Sequence, residues 1–143
     1  MKVLSIKQRV MKKLDEMQHY KDELENMLPD EEAYHTNLTL RRACEKTIEL
    51  MIECVLDVIV MIISSEKLGL PEDEDNLIEL LAKKKIISQK LTTLVKGMKG
   101  FRNIIVHKYG EVKNELAHEF MTSQLKDFDV FEKEIYYYLQ QKK

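Results

Sequence analysis

The sequence is poor in residues that interrupt helices or cross-link a chain. Its 143 residues include two prolines, four glycines and two cysteines, and they include no tryptophan. So few helix-breaking residues argue against a chain divided by many tight turns. Charged residues make up 34% of the sequence, and Leu, Ile, Met, Lys and Glu are frequent, which is typical of long amphipathic helices. We therefore predict an all-α fold.

The few cysteines and the absence of a long hydrophobic run bear on the compartment. Cys44 and Cys54 lie ten residues apart in one predicted helix, too far for the roughly 7 Å Cα separation that limits a disulfide. Residues 2–13 lack the apolar segment of about 7–15 residues that a signal peptide needs. The most apolar stretch, residues 55–63, contains Asp57 and is shorter than the about 20 residues that span a bilayer. We expect reduced thiols in a soluble, cytoplasmic protein with no membrane partner.

The sequence also lacks an excess of positive charge. Its formal net charge is -2 at pH 7 and its pI is about 6.1, whereas nucleic-acid-binding domains are commonly basic. Any nucleic-acid site must therefore be local. Two small basic clusters are candidate nucleic-acid contacts, although each could be a solvated helix face: Arg41 with Arg42, and Lys96 with Lys99.

Apolar periodicity and capping residues predict five helices. The first ends near residue 28, the second starts at Thr36 or Asn37 and ends near residue 67, the third covers about residues 72–83, the fourth starts at Ser88 and ends at Gly110, and the last covers residues 115–139. No repeat, low-complexity tract or long linker divides the chain. We predict one domain over residues 1–143, a compact bundle of four long helices and one short helix.

The segment FRNIIVHKYG, residues 101–110, concentrates polar side chains near the end of the fourth helix. With Arg102 placed at zero on a helical projection of about 100° per residue, Tyr109 falls near -20°, Asn103 near 100° and His107 near 140°. The four polar side chains therefore share one arc, and Phe101, Ile104 and Ile105 are expected to face the core.

An arginine and a histidine on one face can cleave RNA without a metal or cofactor, because the 2′-hydroxyl of RNA is itself the nucleophile. His107 would transfer protons as a general acid or base. Arg102 would hold the scissile phosphate, and Asn103 would orient His107 or donate to a phosphate oxygen. The alternative is structural: His107 would stabilise a helix end, and Arg102 would pair with an acid.

Asp57 is an isolated carboxylate in the most apolar part of the chain. A buried carboxylate is costly without a partner. We expect the partner to be an arginine or histidine of the motif, so that Asp57 orients it. The alternatives are a structural ion pair or a position facing solvent at a dimer seam.

The string Arg102-Asn103, three apolar residues, His107, Lys108 and Tyr109 resembles the Arg-x-x-x-x-His-x-Tyr signature of HEPN ribonucleases. The wider sequence resembles the HepT toxin subfamily. That likeness includes RRA at 41–43, LD at 56–57, LGLP at 68–71, IIS at 86–88 and MKGFRN at 98–103. Lys108 departs from the acid that members of the subfamily often carry at this position.

The resemblance implies a HEPN-like homodimer whose two motif copies line one cleft, and an endoribonuclease toxin that leaves a cyclic phosphate. It also implies a MntA-type nucleotidyltransferase antitoxin that transfers AMP to the motif tyrosine, here Tyr109. The added anion would then block phosphate entry beside Arg102 and His107. A second hypothesis is a non-enzymatic dimeric partner or acceptor subunit of a nucleotidyltransferase, which binds nucleotide or RNA without cleaving it. Tyr109 could also be only a half-buried residue at a helix end.

Overall fold

The computed structural model describes residues 4–69, 73–106 and 114–142. Within these ranges the chain forms seven helices and no strand, which confirms the all-α prediction. The helices are α1 (Ile6–Met27), α2 (Glu31–Thr36), α3 (Leu38–Ser65), α4 (Glu74–Lys83), α5 (Gln89–Val106), α6 (Asn114–Ser123) and α7 (Lys126–Gln141). None of the helices in the described ranges combines the length and hydrophobicity that a membrane-spanning segment requires.

Side-chain caps explain where the helices begin. The carboxamide of Asn37 accepts a hydrogen bond from the backbone N–H of Leu40 at 3.0 Å, and the hydroxyl of Ser88 accepts one from Leu91 at 3.0 Å. Asp73 caps α4 in the same way. Each cap satisfies a backbone donor that the first helical turn leaves without a partner. Of the two residues expected to start the second predicted helix, Thr36 and Asn37, the structure uses Asn37, and the cap predicted at Ser88 is confirmed.

Two of the predicted helix boundaries are wrong. Asp30 caps the six-residue helix α2, which lies where a loop was expected. The predicted last helix is divided into α6 and α7. At the junction, Asp127 N donates to Gln124 O at 3.1 Å and Phe128 N donates to Leu125 O at 3.1 Å. These tighter turns change the helix direction and allow both Leu125 and Phe128 to be buried.

Helix α3 lies at the centre of the fold and contacts α1, α2, α4 and α5. Its second half is buried on nearly every face, including Val55, Val58, Ile59 and Ile62. Burying such a side chain contributes roughly 1.5–3 kcal/mol to the free energy of folding. The burial predicted for this half of the helix is confirmed, with Asp57, Val60 and Ser64 as exposed exceptions.

The apolar faces of α4 and α5 fix the relative position of these two neighbouring helices. Helix α4 buries Leu77, Ile78 and Leu81. Helix α5 buries side chains over its whole length, and Phe101 near its end stacks on Phe120 of α6 with ring centroids 4.0 Å apart. The last turns of α5 are therefore attached to the core through one face only, which leaves the adjacent face for polar side chains.

The two cysteine thiols are free and buried, as the sequence predicts for reduced cysteines. Burial raises the pKa of Cys44 to about 11 and that of Cys54 to about 12. Because the thiolate is the nucleophilic form, neither thiol is reactive near neutral pH.

Candidate active site

Arg102 and Asn103 lie side by side near the end of α5. The guanidinium of Arg102 donates to the carboxylate of Glu74 through both terminal nitrogens, with Nη1–Oε2 at 3.3 Å and Nη2–Oε1 at 2.8 Å. Nη2 also donates to Oδ1 of Asn103 at 3.2 Å. The side chain of Arg102 is 18% exposed, and that of Glu74 is 37% exposed. The structure therefore brings two of the four motif residues together at a partly exposed position.

The other motif residues, His107 and Tyr109, lie outside the described residues, as does Lys108. Their expected positions on the polar arc remain predictions. The two motif residues that the structure describes, Arg102 and Asn103, are partly exposed and in direct contact. The contact between Arg102 and Asn103 is therefore the described part of the predicted arc.

Ile104 is an exception to the predicted core face, because its side chain is 61% exposed. Phe101 and Ile105 are buried, as expected. On the helical projection these two residues centre near -80°, and Ile104 lies about 80° away from them. Arg102 lies about 80° from the same centre in the opposite direction. The buried face of α5 is therefore narrower than predicted, and Ile104 lies at its edge.

Three basic residues on α5 face three acidic residues on α4, and we call this set the charge ladder. Arg102 pairs with Glu74, Lys99 Nζ lies 2.9 Å from Asp75 Oδ1, and Lys96 hydrogen-bonds to Glu79. The hydrogen bond to Glu79 raises the pKa of Lys96 above its usual value. Lys96 and Lys99 were expected as nucleic-acid contacts, but acids of α4 offset their charges.

Asp57 is not brought to Arg102. Its side chain is 57% exposed, and Oδ2 lies 3.7 Å from Nζ of Lys13 on α1. Although its neighbours Leu56 and Val58 are buried, Asp57 lies on an exposed strip of α3, so its charge stays solvated. The structure therefore matches the alternative of an ion pair. An orienting role toward His107 stays a prediction.

Arg41 and Arg42 occupy different environments at the start of α3. Nη1 of Arg41 donates to the backbone oxygen of His35 at 2.7 Å and to that of Tyr34 at 3.4 Å. These carbonyls belong to the last turn of α2, which a cation stabilises. Arg41 thus holds α2 against α3, whereas Arg42 is exposed.

Glu74 is the site residue that sequence reasoning missed. The sequence placed residues 72–75 only at the start of the third predicted helix. The three ladder pairs are separated by 17, 24 and 28 residues, as expected when two antiparallel helices place matched charges opposite each other. The matched spacing of acids on α4 and basic residues on α5 could have indicated these pairs. It predicts them only if α4 and α5 are known to be neighbours.

The sequence is similar to known proteins over most of its length. Residues 17–135 match a family model described as Ribonuclease HepT-like. An mRNA nuclease HepT of Shewanella oneidensis is 27% identical over 108 residues, which cover 76% of this chain and 81% of that protein. A putative RNase of Methanocaldococcus jannaschii is 31% identical over 67 residues, which cover 47% of this chain and 76% of that protein.

The fold also matches that of a toxin whose structure has been solved. A structure of the tri-AMPylated HEPN toxin of Shewanella oneidensis in complex with MNT antitoxin aligns with a TM-score of 0.82 and 24% sequence identity. The alignment covers 93% of this chain and 98% of that chain. The predicted HEPN-like helical fold is therefore confirmed.

Proposed function

The chain belongs to the HepT-like ribonuclease family, and we propose that it is the toxin of a toxin–antitoxin pair, a metal-independent endoribonuclease. The observation that carries this proposal is the partly exposed guanidinium of Arg102, fixed by Glu74 and Asn103 near the end of α5. It stands five residues before His107, at the spacing of the family motif. A planar set of donors beside an imidazole suits the binding and cleavage of a phosphodiester.

The proposed reaction uses the RNA as its own nucleophile. The 2′-oxygen attacks the adjacent phosphorus and the bond from phosphorus to the 5′-oxygen breaks, which leaves a 2′,3′-cyclic phosphate and a 5′-hydroxyl. His107 moves the proton that the 2′-hydroxyl loses or the one that the 5′-oxygen gains. Arg102 offsets the charge that grows on the non-bridging oxygens. Asn103 supports this geometry or orients His107, and Asp57 is a second candidate for orienting it.

A homodimer would give the site a second histidine. Two copies of the motif in one cleft allow one His107 to accept the proton while the other donates one. The exposed strip of α3 that includes Asp57 and Val60 is a candidate part of the seam. The exposed Arg42 is the first candidate contact to the RNA backbone. Arg41, Lys96 and Lys99 are weaker candidates, because backbone oxygens of α2 or acids of α4 already engage them.

Cleavage by the unmodified wild-type protein in the presence of EDTA is the direct test. We expect an RNA oligonucleotide to be cut at an unchanged rate when divalent cations are removed, because no metal activates the 2′-hydroxyl in this mechanism. Mass spectrometry should find fragments that end in a cyclic phosphate. Binding of the RNA with no cleavage, by protein of verified unmodified mass, would instead support the non-enzymatic acceptor subunit.

Control by AMP transfer is the second part of the proposal. The relative from Shewanella oneidensis is tri-AMPylated and in complex with MNT antitoxin. We propose that a nucleotidyltransferase antitoxin likewise modifies Tyr109 of this chain: the phenolic oxygen bonds to the α-phosphorus of ATP, and pyrophosphate leaves. The added anion would compete for Arg102 and exclude the RNA phosphate.

Intact mass tests Tyr109 as the acceptor. Incubation with the antitoxin and ATP should add one or more AMP units to the wild type and end its cleavage of RNA. Tyr109→Phe lacks the phenolic oxygen and should gain no mass, so it should stay active beside the antitoxin. Tyr137→Phe is a matched control, since that exposed ring lies on α7. A full mass gain by Tyr109→Phe would refute the assignment.

A further inference from the structure

Glu74 is held firmly by the helix that carries it. It lies in the first turn of α4, whose backbone is capped by Asp73 through a hydrogen bond of 2.7 Å to the N–H of Asn76. The apolar face of α4 is buried through Leu77, Ile78 and Leu81. Because the helix is anchored in the core, the backbone of Glu74 is held in place and its carboxylate lies within reach of Arg102.

The contact between Glu74 and Arg102 constrains the plane of the guanidinium. Two carboxylate oxygens accept from two different nitrogens of Arg102, at 3.3 and 2.8 Å. Nη2 gives its other N–H to Asn103. Of the five N–H donors of an arginine, the Nε–H and the second Nη1–H are therefore the two that these acceptors do not engage. A phosphate approaching Arg102 would meet a guanidinium whose direction is already set.

The other two pairs of the charge ladder contain lysine instead of arginine. Lys96 and Lys99 present ammonium groups, which are compact charges on flexible stems and gain no fixed plane from a carboxylate. Lys96 is also more exposed, at 38%, than Arg102 at 18%. Glu79 therefore offsets charge beside the site, whereas Glu74 both offsets charge and fixes orientation.

We propose that Glu74 is a positioning residue for Arg102, acting through its two-point contact with the guanidinium. This inference rests on the proposed function, in which Arg102 stabilises the phosphate during cleavage. Fixing the guanidinium before RNA binds removes a reorientation cost from the reaction, and misplacement of such a group by about 1 Å can cost about a hundredfold in rate. The residue comes from α4, so the site includes a helix that contributes no residue to the sequence motif.

A matched pair of variants separates positioning from charge. Glu74→Gln and Glu79→Gln each remove one negative charge from α4, but only the first touches Arg102. We expect Glu74→Gln to lower kcat about ten- to a hundredfold, with KM unchanged or reduced. Glu79→Gln should keep the wild-type kcat and reduce KM, since the local field becomes more positive. Thermal unfolding of both variants checks that the fold is intact.

A second measurement is independent of cleavage. In wild-type protein, the nitrogen NMR signals of the Arg102 Nη groups should be separate, because the two-point contact slows rotation of the guanidinium. They should merge in Glu74→Gln and stay separate in Glu79→Gln. Merged signals in the wild type would overturn the inference, and so would a wild-type kcat in Glu74→Gln or equal effects of the two variants. Separate wild-type signals with no RNA cleavage would uphold the role of Glu74 and refute the proposed function.

Discussion

Replacing Arg102 by alanine should lower the rate of RNA cleavage about a hundred- to a thousandfold, which is the usual cost of removing one donor that stabilises transition-state charge. The alanine removes the guanidinium that Glu74 and Asn103 hold at the end of α5. Single-turnover cleavage at saturating RNA measures the chemical step directly. Cleavage by Arg102→Ala at the wild-type rate would remove Arg102 from the mechanism.

The same substitution should leave the fold nearly intact. The partner carboxylate of Glu74 is 37% exposed, so water can solvate it once Arg102 is gone. Loss of a partly exposed ion pair costs about 1 kcal/mol or less of the free energy of unfolding. Thermal unfolding should therefore change little, which separates lost chemistry from lost structure.

Arg102→Lys is the control for charge alone. Lysine keeps the positive charge but lacks the planar set of donors, and it cannot make the two-point contact with Glu74. We expect a cleavage rate between those of Arg102→Ala and the wild type. A rate equal to the wild type would mean that position and plane are unimportant, which would also contradict the role inferred for Glu74.

Much of the fold follows from local sequence because capping and periodicity act over a few residues. Asn37 and Ser88 start helices through hydrogen bonds that reach only three residues ahead. By contrast, α2 has six residues, which is too short for an apolar period to repeat. The break between α6 and α7 was missed for another reason: it depends on how Leu125 and Phe128 pack in the core, which is a tertiary effect.

In the candidate site, too, the features that depend on local sequence were predicted and those that depend on distant residues were not. The motif itself is local, and a helical projection places Arg102 and Asn103 on one face, as the structure has them. The partners of the charged residues are distant in sequence, so Glu74 for Arg102 and Lys13 for Asp57 were missed. Charge pairing across helices depends on which helices are neighbours, and a single sequence does not encode that directly.

Replacing His107 by alanine should lower the cleavage rate about a hundred- to ten-thousandfold, because general acid–base catalysis contributes factors of this size. The residue follows the described part of α5, which ends at Val106. Binding of RNA should persist, since Arg102 and the exposed Arg42 remain. Equilibrium binding and single-turnover cleavage, measured on the same variant, separate the two effects.

Added imidazole makes this test specific for proton transfer. A small base that diffuses into the space left by the side chain should restore part of the cleavage by His107→Ala, in proportion to its concentration. It should restore none to Arg102→Ala, where the missing group acts through charge and donor geometry. His118→Ala is the matched control, because that ring contacts the backbone oxygen of Pro29 at 2.8 Å, on the side of α6 that faces α2. Cleavage by His107→Ala at the wild-type rate, or equal losses in His107→Ala and His118→Ala, would contradict a role for His107 as the proton carrier.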